Sequence, residues 1–171
     1  MAKTTIPAGG LSSDSVTTAK IVDDAVTAAK VTGLGKIAQV QYVTTETTTT
    51  TNSTSYVDAT NLTLNITPTA ATSKILCIAN CSQLLANAAD LSAITVAIIR
   101  GTTNIYDTIN HLYQTNDDQI NGNLTLQVVD EPDTTSATTY KVQIRNRESN
   151  NVVINNGGDG NSSITLMEIL A

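Results

Sequence analysis

The 171 residues carry nine Lys and Arg against fifteen Asp and Glu, a net charge of −6, with the basic side chains scattered along the chain. Neutralising a phosphate backbone needs clustered cations, so no nucleic-acid partner is expected, and no run approaches the roughly 18 apolar residues of a membrane-spanning helix. Only 14% of residues are charged, against roughly 25% in ordinary soluble domains, so a surface of Thr, Asn and Ser is expected, much of it in subunit contacts.

The N-terminus lacks an apolar stretch of signal-peptide length. The expectation is therefore synthesis in a cytosol and exit by another route, such as release with a particle. Residues 13–22, SDSVTTAKIV, are followed by DDAVTAAKVT at 23–32, with Asp14/Asp24, Val16/Val26, Thr17/Thr27, Ala19/Ala29 and Lys20/Lys30 in step. Beneath this repeat of ten, Ile6, Leu11, Val16, Ile21, Val26 and Val31 recur at every fifth residue. A step of five matches neither the helix period of about 3.6 nor the strand period of 2. One chain has no face on which to bury such side chains, so copies of the chain or a socket must cover them. Acid leads and Lys closes each decad, which suits short helical turns joined by extended steps. Gly33-Leu34-Gly35 reads as a hinge, ending a repeat region over 1–35.

From residue 36 the pattern is that of strands. Residues 62–66, 124–128 and 140–144 alternate apolar and polar side chains, as half-buried antiparallel strands do. Further strands are predicted at 37–46, 54–58, 75–84, 93–100, 104–109, 151–155 and 162–170. Turn chemistry separates them at Thr67-Pro68-Thr69, Arg100-Gly101, Asn121-Gly122, Asp130 to Asp133 and Asn155 to Asn161. Many short strands at such spacing predict an all-β sandwich or barrel over 36–171. Two stretches, 75–81 and 164–170, are apolar at successive positions. One face of each is expected in the subunit core; for the C-terminal strand the other meets a neighbouring subunit. Cys77 and Cys81 sit four strand residues apart, about 13 Å at about 3.3 Å per residue. A disulfide needs less than about 7 Å, so two buried free thiols are expected.

The segments GKIAQVQYVTTETTTTTNSTSYVDATNLTLNITPTAATSKILCIAN, DEPDTTSATTYKVQIRN and SSITLMEIL resemble a C-terminal domain common in bacteriophage fibre and virion accessory proteins. The decads resemble stalk repeats of the same kind of protein. The resemblance spans residues 35–171 and implies a jelly-roll head, similar to the tumour necrosis factor fold, assembled as a homotrimer. This chain departs from a full tail fibre in its length: about three decads precede the head. The expected trimer contacts are Ile164, Leu166, Met167 and Ile169, and the expected anchor is Ile6, Leu11, Val16, Ile21, Val26 and Val31, seated on a capsid, neck or tail protein.

No constellation for chemistry emerges. His111 lies near Asp107, Asp117 and Asp118 but has no placed nucleophile or oxyanion donor, and it reads as a loop histidine. Asp130, Glu131 and Asp133 flank a turn proline and read as a solvated loop. Asn155 to Asn161 lacks the acidic spacing and terminal Glu of a calcium loop. No catalytic residue, metal or cofactor is expected. The expected function is a non-enzymatic virion structural protein, a short homotrimeric spike, fibre or decoration. The alternative is a receptor-binding tip recognising a host-surface glycan or protein, which the shortage of aromatic anchors disfavours.

Overall fold

The computed structural model describes residues 37–86, 92–108, 111–114, 119–148, 150–158 and 160–170. The chain divides between Gly35 and Lys36, and every described residue lies in the second part. The repeat region over 1–35 lies outside the described residues.

Among the described residues, Thr-rich, β-branched and alternating segments form eleven strands: β1 (Ile37–Thr45), β2 (Thr49–Thr51), β3 (Val57–Ile66), β4 (Lys74–Ala86), β5 (Ser92–Arg100), β6 (Thr103–Asp107), β7 (His111–Gln114), β8 (Ile120–Asp130), β9 (Thr138–Asn146), β10 (Val152–Ile154) and β11 (Ser162–Ile169). They make two antiparallel sheets. Sheet A runs β1-β11-β4-β10-β2 with β8 on the free side of β4; sheet B runs β3-β9-β5-β6 with β7 also on β5. The pairing is nested, first strand with last: β1 with β11, β3 with β9, β4 with β8, and β5 with the β6 and β7 pieces. That nesting is the order of a jelly-roll sandwich, in which successive strands cross between the sheets.

Alternation decides the core. Ile75, Cys77, Ala79, Cys81, Leu126, Ile164 and Leu166 of sheet A meet Leu62, Ile66, Ile94, Val96, Ile98, Tyr140, Val142 and Ile144 of sheet B. Both cysteines are free and fully buried, and burial pushes their thiols up to about 12.

Several local readings are corrected. The segment 54–58 is not a strand of its own: residues 52–56 form a loop between β2 and β3. Asn121-Gly122 is not a turn but part of β8, where it pairs with Leu85 and Leu84 of β4; a Cβ at Gly122 would lie 2.9 Å from Leu112 Cδ2. His111 opens strand β7 rather than a loop, its backbone pairing with Ile94 of β5. Among the described strands β5, with residues 92–99 all buried, and the short β10 are buried at successive positions on both faces.

β4 needs a bend to serve two partners on one side. It pairs with β11 through Asn80, breaks register at Gln83 (φ 48°), and continues against β10 at Leu85 and Ala86. Asn155, itself at φ 55° and fully buried, ties this corner together. Its Nδ2 donates to the carbonyls of Thr45 and Thr47, its Oδ1 accepts from Ser162 Oγ at 2.6 Å, and its N–H donates to Ser82 O. Gly160 must be glycine here, since a Cβ would fall 2.9 Å from Asn155 Cα.

Candidate assembly surface

The two outer faces of the sandwich are finished differently. On sheet B, polar side chains satisfy one another. Asp58 accepts from Lys141 Nζ at 2.8 Å and from Gln143 Nε2 at 2.6 Å. Burial alone would raise its carboxyl, but Lys141 and Gln143 outweigh that and hold it below the usual range. Tyr56 donates to Asp107 at 2.6 Å, Asn104 donates to the same oxygen, and the Arg145 guanidinium stands 4.8 Å over the Tyr56 ring. Asp107 pairs with Ala97 and Arg145 with Thr95, so the Tyr56 ring, held by both, reaches across β5.

Among the described residues sheet A carries fewer such ties, with Thr125 donating to Asn80 at 3.2 Å in the row Thr44, Ser163, Asn80 and Thr125. Its register aligns Val40, Met167, Leu76 and Val129 in one row across β1, β11, β4 and β8. The next row holds Tyr42, Thr165, Ile78 and Gln127, and Ile37 lies beside Ile169 below. Ile37, Val40, Tyr42 and Val129 are between 50% and 72% exposed. Among the described residues, charge enters this face only at its rim, where Lys74 meets Glu131 at 2.6 Å. Among the described residues β1 is an edge strand, paired only with β11, and it contains no charged residue or proline. Edge strands of lone domains are ordinarily guarded by just those residues.

The four residues expected at a subunit contact divide by face. Met167 and Ile169 project outward and are half-buried, whereas Ile164 and Leu166 are fully buried in the protomer's own core. The alternation of β11 forces the split: one face of a strand can serve only one side of a sheet. Val40, Tyr42, Leu76, Ile78 and Val129 complete the surface and were not singled out from the sequence. Their signal was present only as outward positions on strands whose neighbours lie up to 127 residues away, as Val40 and Met167 do. The expected anchor, Ile6, Leu11, Val16, Ile21, Val26 and Val31, lies outside the described residues.

Glu168 takes a core-facing position at the end of the row Ile164, Leu166, Glu168 and is fully buried. It accepts from Gln39 Nε2, Thr69 N and Thr69 Oγ1, each at 2.7 Å. Burial would raise its carboxyl, but these donors hold it down at about 2. No Lys or Arg is needed: a carboxylate with several donors is compensated. Across the sandwich, Asp130 of β8 accepts from Arg100 at 2.9 Å and from Tyr140 at 2.6 Å, joining sheet A to two strands of sheet B. Burial first, then Asp130, raises the Tyr140 hydroxyl far above its ordinary range. These polar groups are structural ties, and no group of three His, Cys, Asp or Glu suited to a metal ion occurs among the described residues.

The fold is thus an all-β jelly-roll sandwich with one unfinished face. No protein-family model and no curated protein matches the chain. Fifteen chains of solved structures are similar to it; one belongs to a structure of infectious bursal disease virus, Gx strain. That likeness has a TM-score of 0.40 at 14% identity and covers 79% of this chain and 33% of that one. The chain spans about a third of that neighbour's length, and a likeness of this degree says nothing about function.

Proposed function

We propose that this protein is a non-enzymatic structural component of a bacteriophage virion. It forms a short homotrimeric spike, fibre or decoration, attached to capsid, neck or tail through residues 1–35. The observation that carries the self-assembly is the contrast between the outer faces: sheet B is closed by ion pairs and hydrogen bonds, while the described part of sheet A presents an uncharged apolar row, Val40, Met167, Leu76 and Val129, beside an edge strand without charge or proline. Burying that face against copies of itself removes apolar surface from water at about 25 cal/mol per Å². A closed cyclic assembly does so without leaving a growing end. The aliphatic decads supply a second segment that a lone chain cannot shield, and the phage setting rests on their resemblance to stalk repeats.

Sedimentation of the purified chain at micromolar concentration tests this. The expected mass is about three times 17.9 kDa. Leu76→Glu with Met167→Glu, both on the outer face, should yield folded monomers with an unchanged β-sheet spectrum. A wild-type chain that sediments as a monomer would overturn the proposal.

A further inference from the structure

Asn-Gly occurs twice, as Asn121-Gly122 and Asn156-Gly157, and the fold treats the two pairs oppositely. Asn121 and Gly122 lie within β8, their backbones paired with Leu85 and Leu84 of β4. Leu112 packs onto Gly122 from the side. Asn156 instead opens a one-turn 3-10 segment, Asn156–Gly158, in which Gly157 and Gly158 are exposed. Gly157 sits at φ 76°, ψ 0° and Gly158 at φ 76°. The hydrogen bond that closes the turn is donated by Gly158 to the Asn155 carbonyl at 3.3 Å, not by Gly157.

We infer that Asn156 is a self-modification site, converting to aspartate and isoaspartate without an enzyme. The Gly157 backbone nitrogen gives up its proton to solvent base and attacks Cγ of Asn156. The N–Cγ bond forms, the Cγ–Nδ2 bond breaks, and ammonia leaves carrying a proton from solvent, so that a five-membered succinimide results. Water then opens the ring at either carbonyl, giving aspartate or isoaspartate. The balance is one water in and one ammonia out, with no oxidant or reductant. Glycine at 157 carries no side chain to shield its nitrogen, and its conformational freedom lets the nitrogen swing onto the side chain.

At Asn121 the same chemistry is held back. Ring closure there requires the strand to leave its ladder, so its rate is scaled by the fraction of time β8 is open. At Asn156 no ladder has to break. The product places a carboxylate next to Asn155, the residue that ties β4, β11 and the segment after β1.

The test incubates the folded full chain in mildly alkaline buffer at physiological temperature, then locates converted residues by tryptic peptide mapping with fragmentation. Synthetic peptides spanning each pair serve as unfolded references. Acid at 156 should accumulate at least about tenfold faster than at 121 in the folded chain, while the two peptides react at similar rates. Ion exchange should resolve the converted chain by its added negative charge. Similar rates at both sites in the folded chain would overturn the inference. So would Asn156 keeping its amide while its reference peptide converts.

Discussion

Glu168 shows how a single residue can take a core-facing position without a counter-ion. Its carboxylate accepts three donors at 2.7 Å from Gln39 and Thr69 and so links β11, β1 and the segment after β3. Because its folded value is depressed to about 2 from 4.5, the carboxylate contributes stability in full above about pH 4.5. That contribution is lost as pH falls toward 2. Glu168→Gln should cost about 2 kcal/mol at neutral pH, as expected for hydrogen bonds to a charged group, and should flatten the acid limb of stability. Denaturant titrations at neutral and acidic pH read both effects; a variant as stable as the parent at neutral pH would contradict this role. Asn155 makes a comparable argument with a neutral side chain. Asn155→Ala leaves the Thr45 and Thr47 carbonyls without their amide donor and should cost about 2 kcal/mol, measured as a lower denaturation midpoint at unchanged slope.

At the level of elements, β11 performs two tasks with alternate residues. Its inward set, Ile164 and Leu166, belongs to the core, and its outward set, Met167 and Ile169, belongs to the uncovered face. Truncation on the two faces should therefore separate stability from assembly. Leu166→Ala should destabilise the protomer by about 2–5 kcal/mol through the cavity it leaves. Met167→Ala should lower the protomer's own stability far less, yet weaken association between protomers. Thermal unfolding and sedimentation on both variants distinguish them. Equal loss of protomer stability from both would show that the outer face has a covering within the chain.

For the whole molecule, the sandwich over 37–170 contains its own core and its own polar ties, so it should fold without the repeats. Residues 36–171 alone are expected to give a trimeric head that no longer attaches to particles. Replacing Val16, Ile21 and Val26 together by Asn in the full chain should reproduce the loss, since each aliphatic side chain contributes about 1.5–3 kcal/mol when buried. Particle sedimentation with quantified occupancy checks both. Full retention of the truncated head would place the anchor in the β domain.

Much of the fold was legible in local patterns. Alternation at 62–66, 124–128 and 140–144 marks strands because successive side chains on a pleated chain point to opposite faces. The Cys77 to Cys81 spacing ruled out a disulfide for the same reason of reach. What the chain alone leaves open is which face of an apolar stretch turns inward. Residues 75–81 and 164–170 read the same on both faces, and only packing against sheet B assigns Ile164 and Leu166 to the core and Leu76 and Met167 to the outside. Nor could Asn121-Gly122 show itself as a strand, because its turn chemistry is overridden by pairing with the distant Leu85 and Leu84 of β4. The apolar row from Val40 to Val129 comes from four strands, and the order of those strands is a consequence of nested, long-range pairing. Side-chain alternation is a property of neighbouring residues, whereas adjacency across a sheet is set by whichever distant pairings bury the most apolar surface together.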